Sequence, residues 1–555
     1  MTQTQSMTGG EAMLMATLAH GVDTVFGIPG AQVYPLWDAM ARHSVRVITP
    51  RHEQAAAYMA MGYAKSTGRP GVFSVVPGPG VLNASAALCT AMGSCAPVLC
   101  LTGQVPQQFL GSGRGHLHEL KDQTGTLRSL IKDALHISQP QQTFQTINEA
   151  MTLLQNGRPG PVSVEMCWDT MASMHDVEVM PSSTKAPPPE VDQDQLAAAA
   201  ALIAKARKPM IMCGAGAQHA SESVLALAER LNAPVTAFRS GRGVVAEDHP
   251  LGVSSVAARE LFDDVDLLIG IGSRLEMIAM RWRNMMAYDR RLPDGPPLIR
   301  IEIDQTELQR LVPDVGIVGD ADDATRQLLS LLESTTERDP ERLDTIAQAK
   351  ALARSKALTI KPQIEYLDVI RDVLPRDGFF VPEVSQMGFT SYFGFPVYQP
   401  RTFVSEGFQG TLGYGFQTAL GVKVAHPDRA VVSVNGDGGF MFGVQELATA
   451  AAYDIGVVTL VFNNAAFGNV RRDQANQYAG RYIGADLHNP DFVQLAESFG
   501  VSGHRVMDPK ELRPVMEAAL ASNRPTLIEV VTPTGSEASP WPLISMAQKP
   551  STLDI

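Results

Sequence analysis

Cysteine and tryptophan are scarce in this chain, at 5 and 4 of 555 residues. The cysteines, Cys89, Cys95, Cys100, Cys167 and Cys213, form no CxxC pair and lie mostly in apolar segments. That pattern argues against a disulfide framework or a thiolate zinc site and fits the reduced core thiols of a cytoplasmic protein. Positive charge is short as well: 45 Lys and Arg against 58 Asp and Glu leave a formal net charge of −13. Neither a nucleic acid nor an anionic membrane is expected as partner of such a surface. Long apolar runs are missing. The most apolar stretch, Leu196–Ala204, covers nine residues, far below the ~20 that span a bilayer. The first Lys or Arg is Arg42, so neither a signal peptide nor a transit peptide is expected at the start.

What is present is core-forming material: 45% of residues are hydrophobic and 19% charged, enough for about three globular domains at this length. Two composition shifts divide the chain. PSSTKAPPPEVDQ at 181–193 is proline-rich without an apolar period, and a charged stretch covers 334–361. Blocks near 1–180, 190–335 and 362–555 result. In the first, β-rich apolar runs (Val45–Thr49, Val72–Val76, Val98–Thr102, Val162–Glu165) alternate with helix-like runs such as Gln54–Lys65. The third repeats the pattern with Ala430–Val434, Val457–Phe462 and Thr526–Val531 as strands and a helix over Phe440–Tyr453. Alternation of this kind predicts an α/β fold of doubly wound parallel sheets. The middle block reads the same way through PMIMCGAG, DLLIGIGSR and LIRIEID. RPGPVSVEM at 158–166 and RPTLIEVV at 524–531 end the outer blocks alike and hint at an internal duplication.

The segment 431–464 carries the strongest chemical signal. One apolar strand ends in Gly436-Asp437-Gly438-Gly439 and a second ends in Asn463-Asn464, with 24 residues between Gly438 and Asn463. Both ends fall at the carboxyl edge of a parallel sheet, where open α/β sheets bind ligands. Glycines let a backbone approach a phosphate and turn helix-opening amides toward it. A magnesium ion needs hard oxygen ligands and shares phosphate oxygens. Asp437 offers a charged oxygen, Asn464 an amide oxygen, and the carbonyl of Ala466 a third. Either dipeptide alone would be an ordinary turn; the pair bracketing one strand–helix–strand unit is not.

This spacing resembles the signature of thiamine diphosphate enzymes, and the resemblance runs over nearly the whole chain, nearest to the acetolactate synthase large-subunit group. It implies pyrimidine-binding, central and diphosphate-binding domains over the three blocks. It also implies Mg2+ on Asp437, Asn464 and the Ala466 carbonyl, with Gly436, Gly438 and Gly439 beside the diphosphate. SEGFQGTLGYG at 405–415 is similar to the segment that holds the aminopyrimidine, with Gly410 and Leu412 at its working positions and Leu in place of the usual Met. EVSQM at 383–387 resembles the upstream diphosphate turn, nominating Ser385 and Gln386, with Met387 where His is frequent.

Thiamine chemistry needs a carboxyl group against N1′ of the pyrimidine, presented where water does not compete. Glu53 opens a helix at the sheet edge of the first block, after FGIPG and before VVPGPGVLNA. A helix-opening Glu by itself is a capping residue; in this order of motifs it resembles the family's catalytic glutamate. Glu53 and Asp437 lie in different blocks, and the family joins such blocks across a subunit boundary, which implies a homodimer or dimer of dimers.

The substrate side departs from the group. LCLTGQVP at 99–106 matches and nominates Gln104, but GSGRGHLHELKDQ at 111–123 replaces the usual segment, making His116 and His118 candidate proton shuttles beside a reading as solvated loop histidines. Asn469 and Asp473 stand where Met and Trp are typical. More polar positions favour a more oxygenated substrate or another fate of the intermediate. The middle block resembles a central domain that in some members holds FAD; Gly214-Ala215-Gly216 and Asp304 are weak nucleotide hints, and FAD is not expected. The expectation is a thiamine diphosphate- and Mg2+-dependent carboligase or decarboxylase of 2-oxo acids. The alternatives are a lyase or hydrolase of a more polar 2-hydroxy or 2-oxo substrate, and a noncatalytic dinucleotide-binding relative.

Overall fold

The computed structural model describes residues 3–183, 186–276, 295–332 and 340–544. Its apolar runs form three parallel sheets flanked by helices, as their burial on both faces requires. The first sheet has the order Arg46–Ile48, Thr24–Gly27, Gly71–Val75, Val98–Gln104, Val162–Cys167, Asp133–Ile137. The second runs Val235–Thr236, Pro209–Cys213, Leu267–Ile271, Leu298–Glu302, Val315–Val318. The third runs Phe379–Pro382, Val431–Gly436, Val458–Asn463, Thr526–Val531, Ser502–Val506. In the outer sheets the strands of the two RP segments occupy equivalent places, each between an earlier strand and the one that precedes it in sequence. A two-stranded antiparallel ribbon, Gln3–Thr8 with Met174–Val179, closes the first block and was not expected. No helix among the described residues is long and apolar enough to cross a membrane.

Two expectations change. The helix predicted over Phe440–Tyr453 is broken into Asp437–Phe440, a 3-10 turn at Val444–Glu446, and Leu447–Ala452. Gly443 marks the break: a Cβ there would lie 2.6 Å from the Gln417 amide, so the chain turns where only glycine fits. The charged stretch begins in residues 333–339, which lie outside the described ones. From Arg342 it is a helix, Arg342–Ala357, with Ile346, Ala349, Ala353 and Ala357 buried. Lys350 ties this helix to the central block, its Nζ donating to the carbonyls of Glu247, His249 and Gly252.

Outer blocks meet through two helices, Glu53–Thr67 and Tyr414–Ala425, each buried along most of its length. An all-round small or apolar surface suits a helix enclosed on every side. Their backbones touch at reciprocal notches. A Cβ on Gly62 would collide with the Thr418 carbonyl oxygen, and one on Gly421 with the Met59 carbonyl oxygen. The helix that begins at Glu53 is thereby keyed to the helix that follows the GTLG turn. Gly421→Ala is expected to destabilise the protein by ~1–3 kcal/mol through overpacking, measured as a lowered midpoint in urea; an unchanged midpoint would show that the helices are free to separate.

Candidate cofactor and metal site

Parallel pairing aligns Pro382 with Val434 and Gly436 with Phe462, so the turns after three neighbouring strands lie side by side at one carboxyl edge. Asp437 is 2% exposed and opens the short helix after the second strand. Its carboxylate accepts from the Gly438 amide at 2.9 Å and from Asn489 Nδ2 at 2.7 Å, and it faces the amides of Ala465 and Ala466. Asn489 Nδ2 also donates to Asn463 Oδ1 at 2.9 Å, so one amide bridges the Gly-Asp-Gly turn and the Asn-Asn turn. Burial pushes the Asp437 carboxyl up from its ordinary value, and these donors pull it back. A cation at this edge would offset that burial cost.

The two asparagines divide their work. Asn463 is structural: its Nδ2 donates to Glu529 at 2.7 Å, and its Oδ1 accepts from Ala465 N and Asn489. Asn464 accepts from Ala466 N at 3.1 Å, while its Nδ2 donates to Glu537. Burial raises the Glu537 carboxyl from its ordinary value and outweighs the opposing hydrogen bond from Asn464.

Ser385 caps the helix Gln386–Gly394 by accepting from Gly388 N at 3.0 Å, and its Cβ lies 3.2 Å from where a Cβ on Gly436 would sit. Gln386 is buried and reaches toward Arg472. That helix, Asp437–Phe440 and Gly468–Gln477 all start at this edge, giving a cluster of amide donors suited to a diphosphate. Glycine has a further reason here. A Cβ on Gly438 would strike the Phe467 ring, and one on Gly439 would lie 2.6 Å from the Glu383 carboxyl. Met387 is buried in the core and presents nothing to a ligand. Gly410 (φ +61°) leaves open space around its Cα, and Leu412 is half-buried beside it.

Glu383 escaped the sequence reading. It is 1% exposed, takes a hydrogen bond from Gly413 N through Oε1, and its Oε2 is buried without a protein partner among the described residues. The acid joins the turn after the first strand to the GTLG turn and abuts Gly439. The helix-opening amides at this edge fit a bound diphosphate, and the Asp437 and Asn464 oxygens beside them fit its cation.

On the first block, Glu53 is not a capping residue. His52 Nδ1 accepts from Gln54 N as the cap, and the Glu53 carboxylate accepts from Asn83 Nδ2 at 3.0 Å. Asn83 is a second residue missed by sequence reasoning, although it lies in the VVPGPGVLNA segment. His118 (φ +64°) pairs through Nδ1 with Gln32 Oε1 at 3.1 Å, and Gln32 Nε2 donates to the Leu117 carbonyl. His116 stacks on Phe109 at 4.1 Å with its Nε2 buried. Both are half-buried in a loop whose residues 111–115 are exposed. Gln104 is 3% exposed and turned inward, accepting from Val105 N at 2.8 Å beside a Gln123–Glu165–His136 network. Asn469 Oδ1 accepts from Arg472 and from Trp541 Nε1. Glu53 bonds to Asn83, and Asp437 to Gly438 and Asn489; among the described residues no hydrogen bond joins the two groups within one chain.

A separate cavity of about 790 Å³ lies where the central block meets the other two, lined by Gly214, Gly216, Arg239, Gly241, Gly272 and Arg274 among others. Asp304 is not part of it; its carboxylate caps a helix through Thr306 N at 2.9 Å.

Burial raises the Glu383 carboxyl to about 8. Unfolding then releases its proton between the ordinary carboxyl range and that value, so its contribution to stability is full at low pH and is lost as pH rises through about 8. The Tm of the wild type should fall relative to Glu383→Gln between about pH 5 and about pH 8; a constant difference would mean that the acid is ionised in the folded chain.

Three domain families match the chain: the thiamine pyrophosphate enzyme N-terminal TPP binding domain over residues 7–126, the central domain over 196–328, and the C-terminal TPP binding domain over 383–530. A probable acetolactate synthase large subunit of Methanocaldococcus jannaschii is 35% identical, covering 95% of this chain and 92% of that protein. A probable 2-ketoarginine decarboxylase of Pseudomonas aeruginosa is 32% identical over 95% of this chain and 94% of its own length. The Escherichia coli acetolactate synthase isozyme 3 large subunit is 31% identical, with 96% of each chain covered. Thiamine pyrophosphate is the cofactor these domains bind, and Mg2+ is its usual companion in the family. The chain belongs to the thiamine pyrophosphate enzymes, in their acetolactate synthase-like group, and is an enzyme that forms or cleaves C–C bonds.

Proposed function

We propose that this enzyme is a Mg2+-dependent carboligase or decarboxylase of 2-oxo acids. The observation that carries the proposal is the Asn489 amide, which donates to the Asp437 carboxylate at 2.7 Å and to Asn463 Oδ1 at 2.9 Å and so joins the Gly-Asp-Gly turn to the Asn-Asn turn at the edge where three helices begin. Thiamine diphosphate, when bound, supplies a nucleophilic carbon that adds to a carbonyl and takes up the electrons left by departing CO2. Asp437, the Asn464 side chain and the Ala466 carbonyl hold the cation, and Ser385, Gln386, Gly436, Gly438 and Gly439 border the diphosphate. Gly410 and Leu412 receive the aminopyrimidine. Glu53 holds a proton at N1′, with Asn83 orienting its carboxyl group. His116 and His118 serve the substrate oxygens, and Gln104 and Asn469 belong to the substrate side.

Glu53 of one subunit then works with Asp437 of another, in a homodimer or dimer of dimers. Exposed apolar side chains support this: Leu117 is 62% exposed next to His118, and Phe442 is 51% exposed just after the metal turn. The five free cysteines suit a reducing cytoplasm. A second reading, decarboxylation without ligation of a donor more polar than pyruvate, is favoured by the linked Asn469, Arg472 and Trp541.

Glu53→Gln is expected to lower turnover by about 10²–10⁴-fold while leaving Mg2+ and cofactor binding intact, checked by steady-state rates beside calorimetric titration; normal turnover would remove Glu53 from the mechanism. With thiamine diphosphate, Mg2+ and a panel of 2-oxo acids, mass spectrometry should detect CO2 and ligated product. Acetolactate from pyruvate supports the carboligase, CO2 and an aldehyde from larger donors alone supports the second reading, and no turnover of any 2-oxo acid defeats both.

A further inference from the structure

An amide ligand has two ends that differ in chemistry but hardly in shape, and only its neighbours decide which end meets a cation. Asn464 has such neighbours on both sides. Ala466 N donates to Oδ1 at 3.1 Å, and Glu537 accepts from Nδ2. A flipped amide would turn its NH2 against the Ala466 N–H, donor on donor, and its oxygen against the Glu537 oxygen that now accepts from Nδ2. Among the described residues no other group hydrogen-bonds this amide, and position 468 is glycine, where a Cβ would lie 2.8 Å from Asn464 Nδ2.

Glu537 comes from outside the strand–helix–strand unit, in the segment that follows Thr526–Val531. That segment is strapped against the Asn-Asn turn. Thr534 Oγ1 donates to the Asn464 carbonyl at 2.7 Å, Ala538 N donates to the Lys361 carbonyl at 2.9 Å, and Gln363 Nε2 donates to the Ala538 carbonyl at 2.6 Å. Farther on, Trp541 bonds to Asn469 at 2.7 Å and packs its ring 5.0 Å from Phe389. Glu537 is thus held between two fixed points, and its place against Asn464 is set by the backbone rather than by a free side chain.

We propose that Glu537 is a positioning residue of the metal site, locking the Asn464 amide so that its oxygen is presented to the cation. The inference rests on the reading of Asp437 and Asn464 as ligands. Groups that orient a metal ligand in this way contribute about 10–100-fold to metal affinity.

The test uses the full chain with thiamine diphosphate, titrated with Mn2+ and followed by the EPR signal of the free ion. Glu537→Ala should weaken Mn2+ binding by about 10–100-fold, and Glu537→Gln, which keeps an acceptor oxygen, should bind within about threefold of wild type. At saturating Mn2+ both variants should approach the wild-type kcat, because the loss lies in loading the ion. Unchanged affinity in Glu537→Ala would overturn the inference. Equal losses in the alanine and glutamine variants would also overturn it, because Glu537 would then act by its charge. Should the alanine chain fail to fold by circular dichroism, Glu537→Met reads the same quantity with the volume kept. Asp437→Ala separates the two levels: if it binds Mn2+ like wild type, the parent assignment fails, whereas a metal-dead Asp437→Ala beside an unaffected Glu537→Ala sinks the positioning claim alone.

Discussion

Parallel register is the constraint on which the rest depends. Because the strands Phe379–Pro382, Val431–Gly436 and Val458–Asn463 run side by side in one direction, their turns have no choice but to emerge together. A carboxylate at the end of one strand then lies beside the next turn, and an acid 2% exposed is kept there by donors from Gly438 and from Asn489, which also bonds Asn463. Such a cluster is costly as bare protein, since burial works against the charged form of Asp437, Glu383 and Glu537 alike. Three acids raised at one edge mark a place where a bound cation would relieve the penalty of burial.

Most of this edge was legible from residues near one another in sequence. The strand ends, the Gly-Asp-Gly turn and the Asn-Asn turn follow from apolar runs with a fixed gap between them, and the fold class follows from their alternation. What stayed hidden was contributed from far away along the chain. Asn83 reaches Glu53 from 30 residues on, Asn489 reaches Asp437 from 52, and Glu537 reaches Asn464 from 73. No local pattern marks a residue whose importance is created only when the sheet brings distant turns together.

Local signals also misled in two instructive ways. The run after Phe440 has helical composition, yet Gly443 packs against Gln417 and the helix stops. The glycines of the Gly-Asp-Gly turn have a second reason beyond room for phosphate, since a Cβ on two of them would meet the Phe467 ring and the Glu383 carboxyl. In each case a side chain from elsewhere constrains the glycine. The charged stretch after the central sheet is similar: its composition resembles a linker, but alanines on one side of the helix Arg342–Ala357 are buried and Lys350 is tied to three carbonyls.

The paired notches at Gly62 and Gly421 bear on how such a chain can be recombined. Each notch receives a carbonyl of the opposite helix, so the two surfaces are matched to each other like key and lock rather than to a generic apolar neighbour. A chimaera that exchanged the amino-terminal third with that of a relative would keep its own folding pattern yet carry a helix cut for a different mate. Crossovers that respect this joint must exchange both helices at once, which makes the pair, and not the domain, the unit in which this architecture can be shuffled.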